Sequence, residues 1–106
     1  VLRKDGIIIF VTASMEASKG EWVSLSYSFP ENDRPLRSGE TVKLLIRGID
    51  VVLYDYYWTD DDYTRAAERA GLMLAKIHKP LGSRDDSIEW RDETKMSPLA
   101  IYVLRN

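Results

Sequence analysis

Four groups of side chains in this 106-residue sequence have the composition for chemistry. Asp60, Asp61 and Asp62 are consecutive carboxylates, the ligand type of a hard divalent cation. They also follow Thr59, with Asp62 three residues on, so a capped helix start whose dipole favours acidic side chains accounts for all three. Asp85, Asp86, Glu89, Asp92 and Glu93 form a second acidic set, but Arg84, Arg91 and Lys95 are interleaved with them, which predicts a solvated mixed-charge loop. His78 is the residue type of a general base yet stands alone near a strand end, so neither a triad nor a histidine metal site can be built on it. The last group is aromatic: Trp22, Tyr27, Phe29, Tyr54, Tyr56, Tyr57 and Trp58 either wall a dry pocket or fill the core of a small hairpin. Trp22, Tyr27, Tyr56 and Trp58 are the candidates for contact with a substrate; no catalytic residue or metal ligand is assigned.

The elements that must hold these groups follow from pattern. Asp5-Gly6 marks a turn, and the β-branched run Ile7 to Thr12 predicts a strand buried on both faces, as in the centre of a parallel sheet. Residues 14–39 are loop-like, with turn signals at Pro30, Asn32, Asp33 and Pro35, and their aromatic content fits a lid or loop folded over something. Thr41 to Arg47 and Val51 to Trp58 flank Gly48-Ile49-Asp50, the signature of an antiparallel hairpin. A helix starts at Thr59, buries Tyr63, Ala66, Ala67 and Ala70 at helical spacing, turns Arg65, Glu68 and Arg69 to solvent, and stops at Gly71. Leu72 to His78 is a strand ended by Pro80, residues 81–97 form a long polar connection, and Pro98 to Leu104 is a final apolar strand.

The totals exclude several function classes. Without cysteine there is no disulfide, thiolate metal site or cysteine nucleophile. Fifteen basic against 17 acidic residues give no broad electrostatic footprint for nucleic acid or an anionic membrane. The longest apolar run, Ile7 to Val11, is too short to span a bilayer, and the start has no signal-peptide pattern, so a cytoplasmic protein is expected. The chain opens without methionine and reaches a strand within six residues, which predicts a piece of a longer protein.

Several stretches resemble a known family. Leu2-Arg3-Lys4-Asp5-Gly6 running into Ile7-Ile8-Ile9-Phe10-Val11 is similar to the Leu-Lys-Pro-Gly-Gly turn before the fifth strand of class I S-adenosylmethionine-dependent methyltransferases, with Lys-Asp in place of Pro-Gly. Tyr57-Trp58-Thr59-Asp60-Asp61-Asp62-Tyr63 resembles the opening of that family's following helix. Glu68-Arg69-Ala70-Gly71-Leu72 resembles its approach to strand six, and Ser97 to Arg105 its closing strand seven.

The resemblance implies an α/β fold: one domain or fragment over residues 1–106, the C-terminal part of a Rossmann-like methyltransferase sheet. Strands five, seven and six would lie side by side, the last strand antiparallel, with one main helix and an inserted β-hairpin over about residues 14–58. It implies that the chain completes the sheet and shapes the methyl-acceptor pocket of an enzyme that uses S-adenosylmethionine. The family holds that cofactor on a Gly-x-Gly turn after its first strand and a carboxylate after its second. Gly6, Gly20, Gly39, Gly48, Gly71 and Gly82 are all isolated, so this chain alone is expected to bind no cofactor and to be inactive. The expected partner is an N-terminal cofactor-binding segment or partner chain, with self-association through the exposed edge of strand Ile7 to Thr12 when it is missing. The alternatives are a stand-alone α+β interaction or ligand-binding domain, or a non-catalytic methyltransferase-like subunit.

Overall fold

The computed structural model describes residues 3–106; Leu2, the first residue of the quoted turn, lies outside them. The turn itself closes where expected, with Gly6 N donating to Arg3 O at 2.8 Å. The architecture is α/β, with two antiparallel three-stranded sheets and one helix.

In the first sheet, β1 (Ile7–Ala13) pairs along its whole length with β6 (Leu99–Arg105), from Ile7↔Arg105 to Ala13↔Leu99. On the other side of β6 lies β5 (Met73–His78), also antiparallel, giving the order β1-β6-β5. Since β6 opposes both neighbours, β1 and β5 run parallel, and the chain between them must cross over the sheet. The crossover carries α1 (Asp60–Arg69). A bulge between Leu74 and Lys76 absorbs one residue of β5, so that both Leu74 and Ile77 face the covered side, opposite Leu104 and Tyr102.

Helix α1 begins as its sequence requires. Asp62 N donates to Thr59 Oγ1 and Thr59 N donates to Asp62 Oδ2, a reciprocal capping box. It ends at Gly71, whose φ of +78° no β-carbon-bearing residue adopts readily. Its buried face is narrower than the alanine spacing predicts. Ala67 is buried, whereas Ala66 and Ala70 stay exposed because the three-stranded sheet below is too narrow to cover them. Tyr63 completes the contact: its ring lies 4.8 Å from Tyr102 and 5.7 Å from Phe10, and Phe10 stacks on Tyr102 at 5.0 Å.

The opposite face of this sheet corrects the reading of Ile7 to Thr12 as a doubly buried strand. β1 is an edge strand, paired on one side only, and Ile9 is 65 % and Val11 58 % exposed. Ile7, Met73 and Leu99 on the same face are exposed too. The residues are those of a buried strand, but among the described residues no element lies over that face.

The second sheet has the order β2-β3-β4. Strands β3 (Thr41–Ile46) and β4 (Val51–Tyr56) form the expected hairpin, from Thr41↔Tyr56 to Ile46↔Val51, closed by residues 47–50. Tyr57 and Trp58, expected within the strand, lie just beyond it, although Tyr57 N still donates to Glu40 O. Of the aromatic stretch before the hairpin only β2 (Leu25–Ser26) is strand, pairing with Leu45 and Ile46. Above it the Asn32 side chain takes the place of a strand: its Nδ2 donates to Lys43 O and its Oδ1 accepts from Lys43 N. A core of Ala17, Trp22, Tyr27, Val42 and Leu44, bordered by Ala13 and Met96, joins the two sheets.

Residues 81–97 also depart from expectation. Glu93 is buried, accepting from Val23 N at 2.8 Å and Arg91 N at 2.7 Å, and Asp92 Oδ2 accepts from Glu21 N. The segment around Trp22 has backbone donors that no strand satisfies, and Asp92 and Glu93 dock onto them, while Arg84, Asp85, Asp86 and Glu89 stand exposed as the mixed-charge pattern predicts. Among the described residues no helix is long and apolar enough to cross a membrane.

Candidate functional site

A cleft opens where the carboxyl end of β1 meets the hairpin and the start of α1. Thr12, Ala13 and Ser14 come from β1 and the residue after it; Tyr27 follows β2, and Val42 and Asp55 are a cross-strand pair of the hairpin, Val42 buried and Asp55 exposed. Tyr56, Tyr57 and Trp58 form one wall and Tyr63 of α1 another. The space outside the carboxyl ends of strands, beside a crossover helix, is where open α/β sheets place their ligands. Its volume of about 40 Å³, open to solvent past Tyr56 and Trp58, admits a few atoms, enough for a small headgroup and not for a whole large substrate.

Polar groups converge on this space. Thr12 Oγ1 and Tyr63 OH lie 3.3 Å apart. Asp55 Oδ1 accepts from Tyr56 N at 2.8 Å, and among the described residues no cation pairs with its carboxylate. Burial, and then the charge of Asp55, push the Tyr27 phenol up to about 12, so Tyr27 stays a neutral hydroxyl across the physiological range.

Behind the cleft stands a charged network that ties strands to helix. The Tyr102 hydroxyl donates to Asp60 Oδ1 at 2.6 Å, and Lys79 Nζ donates to Asp60 Oδ2 at 2.8 Å and to both oxygens of Glu16 at 3.0 Å. Burial alone would raise the Asp60 carboxyl, but the hydrogen bonds from Lys79 and Tyr102 outweigh it and hold the group below its ordinary value. Burial likewise works against the Lys79 ammonium, and its two carboxylate partners overcome that and raise it. Tyr102 is pushed well above an ordinary phenol by burial and by Asp60.

The aspartates of the helix start therefore divide their work. Asp62 caps the helix and accepts from Ser38, Asp60 holds Lys79 and Tyr102, and among the described residues no group of three His, Asp or Glu side chains converges for a metal. His78 is exposed at the end of β5.

Of the four candidates for substrate contact, Tyr27, Tyr56 and Trp58 line the cleft. Trp22 does not. Its ring is fully buried in the core and its Nε1 donates to Ala17 O at 2.8 Å. Thr12, Ser14, Asp55 and Tyr63 were not singled out from sequence. Strand alternation carried a signal for Asp55 alone, a carboxylate at the inward position of β4 opposite Val42.

A β-carbon at Gly20 would meet Trp22 and Met96 at 2.7 Å, and one at Gly82 would meet Trp90 at 2.7 Å, so packing against protein side chains accounts for both glycines. Gly39 faces Trp58, and Gly48 and Gly71 are turn and helix-end positions. A scan against protein-family models finds no matching family, and searches of curated proteins and of solved structures find no match either.

Proposed function

We propose that this chain is the C-terminal part of a class I S-adenosylmethionine-dependent methyltransferase, and that it completes the sheet and shapes the methyl-acceptor pocket. The observation that carries the reading is the strand order β1-β6-β5, with the last strand in the middle and antiparallel to two parallel neighbours joined through α1. That family's strands five, seven and six have the same order and directions. The quoted sequence likenesses fall on matching elements: the turn before β1, the capped start of α1, the Gly71 approach to β5, and β6.

The bare face of β1 and β6 supports the same reading. Ile7, Ile9, Val11 and Leu99 would be covered by helices of the N-terminal cofactor-binding segment, and the free edge of β1 would pair with its next strand. Methyl transfer asks little covalent chemistry of the protein; it asks for a held acceptor and excluded water. In this reading Tyr27, Tyr56, Tyr57 and Trp58 exclude water from the acceptor, Asp55 and Thr12 orient it, and the methyl donor is held by residues outside this chain.

The test is the residues encoded ahead of Val1. The reading expects an apolar strand followed by an acidic-x-Gly-x-Gly turn, and a product that methylates an acceptor when that sequence is present. An upstream sequence without such a turn sinks the enzyme reading and leaves a non-catalytic subunit.

A further inference from the structure

The lining of the cleft has an unusual balance. It groups the aromatic residues Tyr27, Tyr57, Trp58 and Tyr63 with one carboxylate at Asp55, Tyr56 lining it from a strand position that alternates to the Lys43 face, and it has no lysine, arginine or histidine. Ring faces are the negative end of an aromatic quadrupole, so rings grouped with an unpaired carboxylate attract an organic cation and repel an anion. Elsewhere on the hairpin the chain already fills a box of the same kind. Lys43 Nζ lies 4.7 Å from the Phe29 ring centroid and 5.8 Å from that of Tyr54, with Glu31 Oε2 completing it at 2.7 Å. Tyr54 and Asp55 are adjacent in β4, so these two groups occupy opposite faces of one strand. On the Lys43 face the rings and carboxylate enclose the chain's own cation; on the cleft face the rings and carboxylate have none.

We propose that the cleft binds the alkylammonium headgroup of a small organic amine, held by Asp55 and walled by Tyr57 and Trp58. The size agrees: the cleft accepts an ammonium and the carbons next to it, with the rest of the molecule outside. Neutral Tyr27 adds a hydroxyl without a competing positive charge. This inference rests on the acceptor-pocket reading and names the acceptor's chemistry. Cation binding is read without any methyl donor, so the two can fail separately.

The experiment titrates the chain with propylammonium and its N-methylated forms, against 1-propanol as the neutral match, following the Trp58 indole and Tyr57 amide by NMR. The expected result is saturable shifts at these residues with the ammonium series and none with 1-propanol. Asp55→Asn keeps an oxygen for Tyr56 N, so the fold is retained while affinity falls about tenfold. Trp58→Leu weakens binding comparably, and Glu31→Gln, at the Lys43 box, leaves it unchanged. Equal shifts with 1-propanol, no saturation with any ammonium, or unchanged affinity in folded Asp55→Asn would overturn the proposal.

Discussion

The Tyr102 hydroxyl donates to Asp60 Oδ1 at 2.6 Å, linking the central strand of one sheet to the first turn of the helix above it. Lys79 closes the same carboxylate from the other side and reaches on to Glu16. This link sets the helix start, and with it Trp58 and Tyr63, against the carboxyl end of β1. Tyr102→Phe is expected to cost about 1–2 kcal/mol, and Asp60→Ala about 2–3 kcal/mol because it strands the hydroxyl and leaves the ammonium with Glu16 as its one carboxylate partner. Urea unfolding with unchanged m-values checks both.

The same network sets a pH dependence. Asp60 is held below its ordinary value, so its contribution is present above the unfolded pKa of about 4 and is lost as pH falls through the folded value. Lys79 is raised, so its contribution is present below about pH 10 and is lost as pH climbs through its folded value. Asp60→Asn, which keeps an acceptor for Tyr102, should flatten the acid limb of a stability–pH profile. An unchanged acid limb would remove Asp60 from the account.

Gly20 is required by packing and not by backbone conformation, since its φ of −128° suits any residue. A β-carbon there would press on the Trp22 ring and the Met96 methyl at 2.7 Å. Gly20→Ala should therefore destabilise by about 1–3 kcal/mol, against the usual gain of replacing an unstrained glycine. Thermal unfolding of the two proteins decides the sign.

Glu93 fastens the 81–97 connection to the segment around Trp22. Glu93→Ala leaves Val23 N and Arg91 N without acceptors, with an expected cost of about 2–3 kcal/mol. Proteolysis between Leu81 and Met96 should accelerate, because the loop loses its attachment before the sheets open. A loop as resistant as before would show that Asp92 alone holds it.

Much of the fold was legible because its signals are local. The Thr59–Asp62 capping box, the Gly71 stop, the hairpin around Gly48 and the two apolar strands each rest on residues within a few positions of one another. Side chains whose roles depend on distant partners were read less well. Asp60 finds Lys79 19 residues away and Tyr102 42 residues away, so capping looked like its whole task. Trp22 was grouped with the pocket by its type, and only its bond to Ala17 and full burial separate it from the cleft. The hydrophobicity of β1 reads as that of a strand covered on both faces, whereas the structure makes it an edge strand with Ile7, Ile9 and Val11 exposed, because pairing and cover depend on distant elements that a local run does not encode.

The exposed face of β1 gives the proposed longer product a test of its own. Ile9→Lys on the exposed face should cost the isolated chain less than about 0.5 kcal/mol and reduce its self-association in light scattering. In a product that covers the face, the same change buries an unpaired charge and should cost several kcal/mol. Equal, small effects in both contexts would mean that the face stays open to solvent.

The most direct measurement is calorimetric titration of S-adenosylmethionine into residues 1–106 and into the proposed longer product that carries an N-terminal cofactor-binding segment. The account predicts no binding to the first and saturable binding to the second. Saturable binding to residues 1–106, or no binding to the longer product, would contradict it.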